Sequence, residues 1–134
     1  MTEKNIFQKI IDGDLPCYKV WEDNDYLAFL DIMPIQAGHT LLIPKKSIDY
    51  IFDMTDEEYK NIMFAAKKVA KILKLATGAY KIGMIVEGLE VPHVHIKLIP
   101  IDMEHSLGTK SGVATQEELK NMQNQILKVQ KTQK

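Results

Sequence analysis

Five short apolar-rich runs of the chain read as strands, the last of them strictly alternating, and three other stretches carry apolar residues at helical spacing; this division predicts the elements. Ile6, Phe7, Ile10 and Ile11 fall at i, i+1, i+4 and i+5, a stripe on a short helix within residues 4–12 that Gly13 and Pro16 end. Residues 18–22 and 26–32 read as strands around the turn cluster Asp23-Asn24-Asp25, which makes them a hairpin. The second strand is almost wholly apolar, with Asp31 as a lone carboxylate near its end. Residues 38–46 give a third strand, running into Pro44. Thr55-Asp56-Glu57-Glu58 is a capping box that opens a helix to about Thr77. Tyr59, Ile62, Met63, Ala66, Val69, Ala70, Leu73 and Ala76 share one face of it, and Gly78 is the expected stop. Residues 79–86 form a fourth strand.

The fifth run carries the chemistry. In Val91-Pro92-His93-Val94-His95-Ile96-Lys97-Leu98-Ile99-Pro100 the alternation is strict, so residues 91–100 read as a strand with its prolines at the ends. His93, His95 and Lys97 then share one face, about 6–7 Å apart along the strand, while Val94, Ile96 and Leu98 share the other. Two imidazoles this close can hold a nucleophile and its supporting partner, or a metal ion with His39 or Glu90 as a further ligand. The Lys97 ammonium opposes a dication, so no metal is expected.

Residues 101–114 are loop-like, with Gly108, Ser111 and Gly112. Thr115-Gln116-Glu117-Glu118 is a second capping box, opening a polar helix with Leu119, Met122, Ile126 and Val129 on a narrow stripe. Such a stripe fits docking onto a body or a second subunit, and equally a partly frayed tail. The chain therefore divides into a domain over residues 1–110 and a tail over 111–134. The element order argues for an α+β fold, an antiparallel sheet with helices on one side.

A chain of 134 residues with 46% hydrophobic and 26% charged positions and a formal net charge of −1 is an ordinary globular domain. Nothing in that balance supports nucleic-acid or membrane-surface binding, which needs a clustered basic excess. The single Cys17 rules out an internal disulfide and a thiolate zinc cluster, and it reads as packing. No apolar run approaches the roughly 18 residues of a spanning helix and no signal peptide is visible, which makes a cytoplasmic location the default. His105 and the Lys45-Lys46 pair read as surface positions.

His93-Val94-His95-Ile96-Lys97-Leu98-Ile99 resembles the His-φ-His-φ-His-φ-φ signature (φ apolar) of the histidine triad (HIT) family of nucleotide-binding hydrolases and transferases. Three other stretches resemble that family in order: Ile6-Phe7-Gln8-Lys9-Ile10-Ile11, Ala28-Phe29-Leu30-Asp31-Ile32 and Gly38-His39-Thr40-Leu41-Leu42-Ile43-Pro44-Lys45. The resemblance spans about residues 4–101. It departs at two places. Lys97 stands where the third histidine belongs, and Val86-Glu87-Gly88-Leu89-Glu90 replaces the asparagine and Ala-Gly-Gln-type turn of Hint-type members.

The resemblance implies a sheet of about five antiparallel strands with a short N-terminal helix and one long helix. It also implies a homodimer through the long helix and the strand beside it. It implies a purine nucleotide substrate with an AMP or GMP moiety: a nucleoside 5′-phosphoramidate, or a dinucleoside polyphosphate as the nearer alternative. No cofactor is implied. Gln8 occupies the region where some members bind structural zinc through cysteines, so zinc is not expected.

Residue by residue, the resemblance makes His95 the nucleophile, and its other ring nitrogen is expected to donate to a backbone carbonyl of the neighbouring segment. His93 becomes its orienting partner, linked to His39, which read alone is a satisfied strand histidine. Asp31 becomes the ribose ligand, and read alone it is a strand-end carboxylate capping the turn before Pro34. Ile6, Phe7, Ile10, Phe29 and Ile32 become the slot for the base, and would otherwise be plain core. Gly88 and Glu90 fall in the loop that would meet the phosphates. Lys97 either neutralises non-bridging oxygens or hydrogen-bonds the leaving group, favouring neutral His93 and His95, or is a solvent-facing lysine. In the second case the protein binds nucleotide with little turnover.

Overall fold

A computed structural model describes residues 3–107 and 113–132, so the loop positions Gly108, Ser111 and Gly112 lie outside the described residues. Five strands, β1 (Lys19–Glu22), β2 (Tyr26–Leu30), β3 (Thr40–Pro44), β4 (Lys81–Ile85) and β5 (Ile96–Ile101), form one antiparallel sheet in the order β1-β2-β3-β5-β4. Three α-helices accompany them: α1 (Ile6–Ile11), α2 (Asp56–Thr77) and α3 (Gln116–Thr132), with a single 3-10 turn at Ile51–Asp53 before α2. The fold is α+β with a five-stranded antiparallel sheet. No described helix is long and apolar enough to cross a membrane.

The helices do not all lie on one side, as the element order suggested. Every residue of β2 and β3 is buried, so both faces of the sheet centre need cover. Ala28, Leu30, Leu42, Ile96 and Leu98 point to one face and pack with Ile62, Val69 and Leu73 of α2. Leu27, Phe29, Leu41 and Ile43 point to the other and pack with Phe7 of α1. The short helix is thus the lid of a second, smaller core.

The caps follow the sequence. Thr55 and Glu58 exchange side-chain bonds at 3.1 and 2.9 Å, and Gly78 closes α2 with a left-handed φ of 68°. Thr115 and Glu118 repeat the box at 3.1 and 3.0 Å. Beyond that box, α3 docks on the body. Leu119 and Ile126 are buried in the α2-side core, with Met122 and Val129 packed against it. Its glutamines add backbone ties: Gln123 Nε2 donates to Lys19 O at 2.9 Å, Gln130 to Val20 O, and Gln125 to Ala76 O.

The histidine strand is shorter than the alternation predicts. Ladder pairing between β3 and β5 starts at Leu42↔Ile96, so residues 91–95 approach the sheet as an irregular segment. Pro92 has no N–H to give, Val94 N donates instead to Ile48 O at 2.7 Å, and the carbonyl of Pro44 is taken by a side chain. At the other end Pro100 sits within the strand, opposite Ile82. It is tolerated there because the β3 ladder has already ended at Thr40↔Leu98, leaving that flank unpaired.

Candidate active site on the α1 face of the sheet

Parity decides which side chains meet. His39, Leu41 and Ile43 point to the α1 face, as do Leu27, Phe29 and Asp31, and the β5 segment brings His95 and Lys97 to the same side. The register sets Lys97 beside Leu41 and Leu41 beside Phe29. Phe7 covers this row. Its ring meets Phe29 at 5.8 Å, His93 at 5.9 Å and His95 at 5.0 Å, each edge-on. Ile10 packs against the same cluster, whereas Ile6 and Ile32 stand 50% and 57% exposed. Of the predicted base slot, Phe7 and Phe29 are buried, Ile10 is half-buried against them, and Ile6 and Ile32 form an open rim.

Both histidines are buried, and their hydrogen bonds fix their tautomers. His95 Nδ1 lies 2.8 Å from His93 O. A carbonyl only accepts, so Nδ1 carries the hydrogen, and in the neutral ring the lone pair is then on Nε2. His93 Nε2 lies 2.8 Å from Pro44 O and carries the hydrogen by the same argument. That leaves His93 Nδ1 to accept from Asn5 Nδ2 at 3.4 Å. Burial is the largest influence on His93 and pushes it below the ordinary imidazole value of 6.5; the Pro44 bond opposes this and the nearby His95 adds to it. Desolvation is thus the main influence that favours the neutral ring.

His39 sits at the other end of the row. Its Nδ1 accepts from Ile35 N at 3.0 Å, and its Nε2 lies 3.5 Å from Asp31 Oδ2. The two nitrogens of His93 meet Pro44 and Asn5. Asp31 also accepts from Met33 N at 2.8 Å through Oδ1, so it caps the turn before Pro34 while Oδ2 faces His39. A cavity of about 190 Å³ opens beside this pair, reaching Glu118 and Met122 of α3.

Lys97 is an inward-facing lysine, its side chain 12% exposed. Its Nζ lies 3.8 Å from Glu87 Oε1 and 3.9 Å from Glu90 Oε1, both on the loop after β4. That loop turns at Gly88, whose φ of 74° favours glycine. Among the described residues no three His, Cys, Asp or Glu side chains are grouped to hold a metal. Sequence reasoning missed Asn5, Glu87 and the Pro44 carbonyl. Asn5 is legible as an N-cap three residues before Gln8, but its contact with a ring 88 positions away is not.

The HIT domain matches over residues 12–104. An uncharacterised HIT-like protein of Methanocaldococcus jannaschii is 44% identical over 99 residues, 71% of this chain and 77% of that one. The adenosine 5′-monophosphoramidase of Schizosaccharomyces pombe is 36% identical over 128 residues, 90% of this chain and 94% of that one. Among solved structures, a HIT-like protein involved in cell-cycle regulation from Bartonella henselae superposes with a TM-score of 0.84 at 31% identity, covering 96% of this chain and 97% of that one. The buried histidine pair under a short N-terminal helix thus stands in a shared sequence and a shared fold, and the chain belongs to the HIT family.

Proposed function

We propose that the protein is a nucleotide hydrolase that cleaves the α-phosphate bond of purine nucleoside 5′-phosphoramidates through a nucleotidyl-His95 intermediate. The observation that carries this is the bond from His95 Nδ1–H to the His93 carbonyl, which puts the hydrogen of the neutral ring on Nδ1 and leaves Nε2 as the atom for attack. Nε2 forms a bond to the α-phosphorus and the P–N bond breaks, the leaving nitrogen taking a proton from solvent, which the water of the second step returns. Water then adds to phosphorus, the P–Nε2 bond breaks, and the nucleoside monophosphate departs. Two displacements replace one, and no cofactor takes part.

The remaining residues have supporting roles in this reading. Phe7, Ile10 and Phe29, with Ile6 and Ile32 as rim, receive the purine. Asp31 accepts from the ribose hydroxyls, and His39 holds Asp31. Lys97 neutralises non-bridging oxygens once phosphate competes with Glu87 and Glu90 for its ammonium. The named activity of the S. pombe relative supports the phosphoramidate class over dinucleoside polyphosphates. A homodimer and a cytoplasmic setting complete the proposal.

The Lys97–Glu87–Glu90 contacts also support a second reading, a nucleotide-binding protein with little turnover because its third motif position is a neutralised lysine. One experiment separates them. Wild type and His95→Ala are mixed with an adenylated lysine, quenched in base and weighed intact, with AMP release followed in parallel. A transient adenylate on wild type alone, with AMP turnover, is the expected result. AMP binding without adduct or release would leave the second reading.

A further inference from the structure

The side chain of Asn5 is used twice. As N-cap of α1 it accepts from Gln8 N through Oδ1 at 2.9 Å, and this bond fixes which way the amide points. Nδ2 is then turned to His93 Nδ1, 3.4 Å away. Because Nδ2 carries only hydrogens, it can meet Nδ1 only when that nitrogen is bare. Pro44 O makes the complementary demand on the opposite side of the ring, that Nε2 carry the hydrogen. A ring protonated on both nitrogens would press a hydrogen of Nδ1 against those of Nδ2.

We infer that Asn5 is a positioning residue that locks His93 in the Nε2–H form and so steadies the His93 carbonyl that accepts from His95 Nδ1. The lock is a statement about tautomers; its effect on turnover rests on the proposed role of His95. Helix α1 then delivers an apolar cover and a polar latch to the same two rings, since Phe7 follows the cap by two residues and lies edge-on to both. The groups packed on His93 from α1 and β3 are Asn5, Phe7 and Pro44, none of them titratable, and His95 is the neighbour whose charge acts on it among the described residues. Burial, the Asn5 amide and His95 oppose protonation of His93 while the Pro44 carbonyl favours it, and with burial the largest influence this ring serves as a fixed support and not as a proton carrier.

Asn5→Asp separates the two uses of the side chain. Aspartate caps a helix as well as asparagine does, but it offers His93 an acceptor in place of a donor. The measurement is a nitrogen-15 NMR titration of the imidazoles. Wild type is expected to show His93 protonated at Nε2 alone from neutral to mildly acidic pH. In Asn5→Asp, His93 is expected to be doubly protonated at neutral pH, since a carboxylate this near raises an imidazole by about 1–3 units. Release of AMP from an adenosine 5′-phosphoramidate should fall about 10- to 100-fold in kcat, recovering as pH rises, while KM changes little.

A wild-type His93 protonated at Nδ1 would overturn the inference, and that spectrum decides the matter even if the variant fails to fold. So would an Asn5→Asp spectrum identical to wild type. Wild type with the expected tautomers but no AMP release would uphold the lock and remove the hydrolase reading instead.

Discussion

Replacing His93 by glutamine tests the electrostatics of the buried pair directly. A glutamine Nε2 can reach the same Pro44 carbonyl, yet it does not titrate. In the folded protein burial holds His93 below 6.5, whereas the unfolded chain takes up a proton near that value. As pH falls through 6.5 the unfolded state gains a proton that the folded state refuses, so stability falls with pH. It stops falling only below the folded value. For a ring that stays neutral throughout, the loss between pH 7 and pH 5 has an upper bound of about 1.9 kcal/mol, from a limiting slope of about 1.4 kcal/mol per pH unit. His39, His95 and His105 are common to both proteins and largely cancel. Urea unfolding at pH 7, 6 and 5 should show wild type losing about 1–2 kcal/mol more than His93→Gln over this range, with m unchanged. Parallel losses in the two proteins would refute the claim that His93 is kept neutral by its surroundings.

Three further outcomes are expected. Ile126→Ala should cost about 2–5 kcal/mol in urea unfolding because this side chain is buried where α3 meets the body, and a loss below about 0.5 kcal/mol would mean that α3 is not part of the cooperative unit. Gly38→Ala should cost about 1–3 kcal/mol, since Gly38 has a φ of 91° and a Cβ would lie 3.1 Å from both Pro100 Cγ and Thr77 Cγ2; a neutral substitution would refute that strain. Lys97→Met should weaken AMP binding about tenfold by calorimetry, and Glu87→Gln with Glu90→Gln should strengthen it, both effects shrinking in high salt; no change in either would make Lys97 a plain strand-end residue.

Where local chemistry dominated, the sequence was a reliable guide. Both threonine capping boxes, the Gly78 stop and the Asp23–Asp25 hairpin were legible because each is settled within four or five residues. The position of α1 was legible in principle: an all-apolar β2 needs cover on both faces, and Phe7 supplies the second. The start of β5 was not, because alternation cannot tell a strand from an extended approach whose ladder partner has already spent its carbonyl on an imidazole. The candidate site divides along the same line. Alternation and the motif grouped His93 and His95, and the bond from His95 to a carbonyl was expected in kind, though its acceptor two residues away was not. Asn5, Glu87 and the pairing of His39 with Asp31 depend on contacts between distant stretches that no local pattern encodes.

The glutamines of α3 have a consequence for how this sheet can meet other sheets. Of its two border strands, β1 has main-chain carbonyls at Lys19 and Val20 occupied by Gln123 and Gln130, while β4 carries no such fastening among the described residues. A strand added at β4 displaces no such side-chain bond, whereas one added at β1 competes with both glutamines. Two copies joined there would each present only a fastened β1 at the outside. Growth by that route would end at a pair, since a third copy would have to displace the glutamine bonds on β1.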